Sequence, residues 1–146
     1  MALFNINVKR TFRDIKDGTS ETIALSETIT GPDGSSDIRG VWWNDWGVQF
    51  TGHRGPNSSI ADAVWVLVGP GSPYGSYCDP GKAPCDGSAP NWSNIDFAAR
   101  SFHPGGINVL FADGSVRFIA DEINLATWQA LGSIRSAEVV QEDAGS

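Results

Sequence analysis

The sequence predicts an α+β fold: mainly antiparallel β-sheet, one or two short helices, a C-terminal β-hairpin and long loops. Three observations carry this expectation. Period-two apolar runs recur along the chain, as strands half-buried against a core require. Asp113-Gly114 sits between two such runs near the C-terminus, and Asp-Gly in that setting is a strong hairpin signal. Glycine and proline supply 17 and 8 of the 146 residues, so the chain turns often and leaves little room for long helices.

The elements follow in order. Residues 2–8 alternate Ala2, Phe4, Ile6 and Val8 with Leu3, Asn5 and Asn7. This reads as a strand within an arm spanning residues 1–10. Residues 12–17 read as one helical turn ended by Gly18. Residues 22–30 are the next strand, with Ile23, Leu25 and Ile29 on one face. Glu27 falls on that apolar face, so it needs an Arg or backbone donors nearby. Residues 31–34, Gly-Pro-Asp-Gly, are a turn. Residues 38–53 read as strands carrying Trp42, Trp43 and Trp46, with Val48 and Phe50 alternating. Residues 63–68 are an apolar strand buried on both faces. Residues 69–92, rich in Gly and Pro, are one long loop, and loops of that length usually carry function or an interface. Residues 108–112 and 115–119 are the hairpin strands, joined by a turn in which both central positions accept positive φ. Residues 124–131 are a short helix with Asn124 as N-cap and Gly132 as its stop. Residues 137–146 are a polar tail, and the whole chain, 1–146, is expected to be one domain.

Composition excludes some functions. Ten Lys and Arg against 17 Asp and Glu give a net charge of −7. A nucleic-acid backbone is therefore no partner, since binding it takes clustered Lys and Arg. The acidic balance suits cations such as Ca2+. The longest apolar run, residues 63–68, is six residues. A membrane helix takes about twenty, so no membrane insertion is expected. Cys78 and Cys85 flank six residues. They either close a disulfide, worth roughly 2–3 kcal/mol on the chain-entropy model, or stand as free thiols. A loop with no packing of its own favours the disulfide. His53 and His103 are too distant in sequence to give zinc-ligand spacing.

At SFHPGGINVLFADGSVRFI, residues 101–119, His103 is followed by nine residues and then Asp113-Gly114. This resembles the prepilin-type processing-associated domain family of planctomycetes and related bacteria, whose members are similar to type IV pilins and type II secretion pseudopilins. FRDIKDGTSETIALSE (12–27), PNSS (56–59) and LATWQALGSIRSAEVV (125–140) resemble the family in the same order. The resemblance implies a pilin- or pseudopilin-head-like fold, an extracellular or cell-surface location, and other pilin-like subunits as partners. Family members begin with a pilin-type cleavage motif and a long apolar helix. Neither is found in this sequence, so the expectation is a soluble module or one that assembles by another route.

His103, Gly105, Gly106, Asp113 and Gly114 read as scaffold: His103 braces the loop entering the hairpin and Pro104-Gly105-Gly106 makes the bend. A triad of His103, Asp113 and Ser101 or Ser115 lacks a nucleophile elbow and an oxyanion motif, so no enzyme is expected. Asp14 and Asp17, with Asp79 and Asp86 beside the cysteine loop, are either calcium ligands or turn formers. Calcium takes six to eight oxygens and mixes carboxylates with loop carbonyls. The resemblance also implies a structural calcium in a loop. Trp42, Trp43 and Trp46 are core, subunit contacts or a stacking platform for sugar rings. Phe4, Ile6 and Val8 let the arm pair with its own sheet or with a neighbour's sheet edge. Repeated head to tail without closure, the second contact builds a filament or tube. The expected function is a structural subunit that self-assembles into such a homopolymer, calcium-stabilised, with no organic cofactor. The alternatives are a secreted polysaccharide-binding module and a soluble accessory pseudopilin.

Overall fold

The computed structural model describes residues 2–4, 7–31, 37–44, 47–65 and 83–135. Five strands and one helix organise them: β1 (Ile23–Ser26), β2 (Asp62–Trp65), β3 (Cys85–Ala89), β4 (Gly106–Phe111), β5 (Val116–Ala120) and α1 (Leu125–Leu131). Single 3-10 turns add Phe12–Asp14, Thr19–Glu21 and Trp92–Asn94. The fold is mixed α+β and mainly sheet. No helix among the described residues is long and apolar enough to cross a membrane.

β1, β4 and β5 form an antiparallel sheet in the order β1-β4-β5. β4 alternates inward Ile107, Val109 and Phe111, all essentially buried, which is the period-two pattern of a strand with one face on a core. That face meets Ile23, Ala99, Trp128 and Leu131, so α1 packs its buried stripe beneath the sheet. Asn124 caps α1 by accepting from Ala126 N and Thr127 N. Gly132 ends it in right-handed geometry, φ −76°, without the left-handed turn that glycine there often supplies.

The hairpin joins β4 to β5 where Asp113-Gly114 predicts it, through a different turn. Only Gly114 takes positive φ, +88°, and Phe111 bonds both Gly114 N and Ser115 O. This is the three-residue loop with glycine at the left-handed position, so Asp113 keeps an ordinary conformation.

Four further expectations are corrected. No strand forms at residues 2–4 or 7–10, where Asn7 at φ +57° breaks the extended run; residues 5 and 6 lie outside the described set. In β1 the register shifts between Ile23 and Leu25. A one-residue slip changes the face, and Leu25 points outward, 57% exposed, instead of joining Ile23. The described part of 38–53 contains no strand. Local turns, Val41 N to Ile38 O, Asn44 N to Val41 O and Gly47 N to Asn44 O, use backbone groups a ladder would need, and the longer-range bonds Gly31 N to Arg39 O, Gly40 N to Gly47 O and Thr51 N to Phe97 O stay isolated. The stretch 69–92 is not all loop, because Cys85–Ala89 pairs with β2, and in parallel. β2 is buried along Asp62, Ala63 and Val64 as a two-faced strand should be, and Ala63, Val64, Ala89, Ile95 and Phe97 form its core.

Candidate functional site

The His103 loop is built by glycine geometry. Gly105 adopts φ +79°. A Cβ on Gly106 would meet the Ile119 carbonyl and stand 2.6 Å from the Phe118 ring. The Gly-Gly pair therefore supplies a left-handed residue and a close strand approach. Ser101 Oγ donates to Gly106 O at 2.9 Å, and Asn57 Nδ2 donates to Asp121 at 2.8 Å. The 56–59 loop is thus bonded to the hairpin mouth.

His103 Nε2 lies 3.1 Å from Glu27 Oε1. The same carboxylate accepts from Asn108 N at 2.7 Å and from Asn108 Nδ2 at 3.1 Å. Burial alone would raise the Glu27 carboxyl. The two Asn108 donors, with His103 beside them, outweigh it and hold the carboxyl below its ordinary range. Glu27 thus finds a backbone donor, as expected, but an imidazole and an amide where an Arg was the other candidate. Asp113 accepts from Ser115 Oγ at 2.7 Å and Ser115 N at 2.8 Å, and these bonds, the hydroxyl first, lower its pKa. His103 precedes β4 and Asp113 follows it. A strand rising about 3.4 Å per residue keeps them at opposite ends, so they do not meet.

Of the proposed metal carboxylates, the three among the described residues, Asp14, Asp17 and Asp86, do not form one cluster. Asp14 closes a capping box, accepting from Thr11 N at 2.7 Å and Thr11 Oγ1 at 3.0 Å, and the backbone bond chiefly lowers its pKa. Asp86 accepts from Ser88 N at 3.0 Å on β3. Asp17 follows the first 3-10 turn, and Asp79 lies outside the described residues. Among the described residues no group of three or more His, Cys, Asp or Glu could hold a metal ion. Cys85 is disulfide-bonded; Cys78, the other cysteine of the chain, lies outside the described residues.

Trp42 and Trp43 stand on the turn at 41–44, 84% and 72% exposed. Trp46 and Ile6 lie outside the described residues. Phe4 and Val8 are exposed. Phe4 also lines a cavity of about 780 Å³ with Leu3, all four residues of β1, Val48 and Phe50. Trp128 forms part of its wall. That indole is 1% exposed, and its Nε1 has no hydrogen-bond partner among the described residues.

Sequence reasoning missed the most buried polar cluster. Asp62, 0% exposed, accepts from Arg39 Nη1 at 2.8 Å, Arg100 Nη2 at 2.8 Å, Arg100 Nε at 2.9 Å and Ala98 N at 3.0 Å. Arg39 also grips Asp37, with Nη2 to Oδ2 at 2.6 Å. Burial alone would lower the Arg39 pKa, and the bonds to Asp37 and Asp62 reverse that and raise it. The remaining guanidinium donors go to the carbonyls of Ala83, Ser58 and Ile60. Four charges balance within the cluster, which fits bracing of β2 and β3. The available signal was Asp62 standing beside the apolar run 63–68.

A family model described as protein of unknown function DUF1559 matches residues 2–126. No curated protein and no solved structure matches the chain. The chain belongs to the DUF1559 family, which is associated with planctomycete pseudopilin-like proteins.

Proposed function

We propose that this DUF1559-family chain is a pilin-like structural subunit that self-assembles at the cell surface or outside the cell into a filament or tube. The observation carrying the reading is the exposed aromatic surface, Trp42 and Trp43 above all. Large apolar side chains grouped on a surface mark interaction sites, and Trp is enriched at protein interfaces. Family membership supports the pilin-like half of the reading. The proposal includes no catalytic step and no organic cofactor. Calcium enters as a brace of loops or subunit contacts.

Negative-stain electron microscopy of the purified chain, with calcium and then with excess chelator, tests it. Ordered filaments or tubes are expected, and their loss in chelator assigns calcium to the assembly. Dispersed single particles under both conditions overturn self-assembly. The second reading, polysaccharide binding, draws on the same Trp pair, since exposed indoles stack on sugar rings. Saturable quenching of Trp fluorescence by soluble glycans, lost in Trp42→Ala/Trp43→Ala, would favour it. An accessory pseudopilin would stay monomeric alone and bind other pilin-like chains.

A further inference from the structure

β5 is an edge strand. Among the described residues it pairs only with β4, without a register shift from Gly106↔Ala120 to Leu110↔Val116. At one end of this ladder Phe111 N bonds Ser115 O, and at the other Asp121 N bonds Gly105 O. Antiparallel alternation between these two points turns the backbone groups of Arg117 and Ile119 toward β4 and those of Val116, Phe118 and Ala120 away from it. Among the described residues nothing bonds the outward groups of Val116 and Phe118 or the Ala120 N–H. Ala120 O accepts from Ile123 N at 3.2 Å and keeps a second lone pair. Val116 and Phe118 are exposed. Proline and bulges are common devices for blunting an edge, and β5 has neither.

The side chains along the edge select what fits it. Residues 117–121 read Arg-Phe-Ile-Ala-Asp, so opposite charges stand at equal distance on either side of Ile119 with apolar residues between them. Arg117 lies over the Phe111 ring, 4.3 Å from its centroid, with Nη1 3.8 Å from Glu21. Asp121 accepts from Asn57 through Oδ1. An added antiparallel strand should set a carboxylate opposite Arg117 and a cation opposite Asp121. The same segment of a second copy, turned about a two-fold axis at Ile119, supplies both. Arg117 of each copy then faces Asp121 of the other, Phe118 faces Ala120, and Ile119 faces itself, while Phe118 and Ala120 exchange their outward N–H and C=O groups. An axis at Arg117 would set the two arginines against each other, and an axis at Phe118 would leave both charges opposite uncharged residues.

We infer that β5 pairs antiparallel with β5 of a second copy about a two-fold axis at Ile119, joining two three-stranded sheets into one of six strands. The contact is isologous and closes on itself. It goes beyond the self-assembly reading, whose filament takes a further contact between such dimers.

Charge reversal tests it. Arg117→Glu sets two carboxylates opposite each other, and Asp121→Lys sets two cations opposite each other. Light scattering coupled to gel filtration over a dilution series should show the unaltered chain as a dimer. Each variant alone should have its dissociation constant raised roughly tenfold or more. Mixed in equal amounts, the two variants should dimerise again, because every facing pair regains opposite charge. Far-UV circular dichroism matching the unaltered chain establishes that each variant folds. If either fails that check, amide exchange of the unaltered chain decides: the Phe118 and Ala120 N–H groups should gain protection as concentration rises, and unchanged exchange there overturns the contact. A monomer at all concentrations, variants that dimerise alone as well as the unaltered chain, or a mixture that stays monomeric also overturns it. Electron microscopy separates this result from the assembly reading. Filaments that form equally from Arg117→Glu keep that reading and overturn this contact, whereas dimers without filaments keep the contact and overturn that reading.

Discussion

Both halves of the molecule have apolar cores, but one of them adds a buried ion cluster. Beneath β1, β4 and β5 the centre is apolar, with Ile107 and Val109 fully buried. Beside β2 and β3 the apolar cluster of Val64, Ala89 and Phe97 is accompanied by Asp62, equally buried and clamped between Arg39 and Arg100. Apolar packing degrades gradually when a methylene is lost, because neighbours relax. A buried ion cluster does not, because removing one member leaves a buried charge uncompensated. The sheet half should therefore tolerate trimming, and the ionic half should not.

The sharpest way to break this contrast is Asp62→Ala. It would leave two buried guanidinium groups short of their shared carboxylate and Ala98 N without an acceptor. A loss of about 3–5 kcal/mol is expected, read as a large drop in urea midpoint or failure to fold. Ile107→Val, equally buried in the other half, should cost about 0.5–1.5 kcal/mol. Equal losses would show that Asp62 is no more critical than an ordinary core residue.

A smaller effect is expected where the sheet half is unforgiving, at Gly106. Alanine there drives its Cβ into the Ile119 carbonyl and the Phe118 ring. The ring can rotate away, but the carbonyl belongs to the paired strand. Gly106→Ala should cost about 1–3 kcal/mol, as overpacking does, with faster amide exchange along β4 and β5. Gly52→Ala, which meets nothing within 4 Å, should change stability by less than about 0.5 kcal/mol. Similar behaviour of the two would mean the hairpin mouth is looser than its geometry.

The same contrast explains what the sequence disclosed. β4, β5, the Asp-Gly turn and α1 are local: period-two apolar residues, one glycine and one Asn cap specify each. The fold class follows from them. Leu25 was misplaced because a bulge is a property of the pairing with Leu110 and leaves no mark on residues 22–30. The parallel β2–β3 pair was missed because Cys85–Ala89 has no β-branched or large apolar residue, and its alternation rests on the small residues Cys85, Gly87 and Ala89. The ionic cluster joins Asp37, Arg39, Asp62 and Arg100 across 63 positions of chain. Apart from Asp62 standing beside the apolar run 63–68, nothing local distinguishes these four from surface charges. At the candidate site, Glu27 was legible as a carboxylate in need of donors, whereas its contact with His103, 76 residues away, was not.

Glu27 also joins the halves, which makes it the finest probe of the contrast. Its side chain binds Asn108 of the sheet, and its carbonyl accepts from Arg100 N at 3.2 Å. Its carboxyl pKa is lowered from the ordinary 4.5 in the folded chain, so between the folded and unfolded values the unfolded chain binds more protons. Stability then rises with pH across that window. The contribution is complete above the unfolded value and disappears as pH falls through the folded one. Glu27→Gln should accordingly be less stable than the unaltered chain at neutral pH, with the gap narrowing as pH falls below about 4. Asp14 and Asp113, also lowered, titrate in the same direction in both proteins and cancel in the difference. Urea midpoints taken near neutrality and at about pH 3 decide it. A gap that stays constant would mean that the amide serves Asn108 as well as the carboxylate does, and that the join between the halves does not depend on charge.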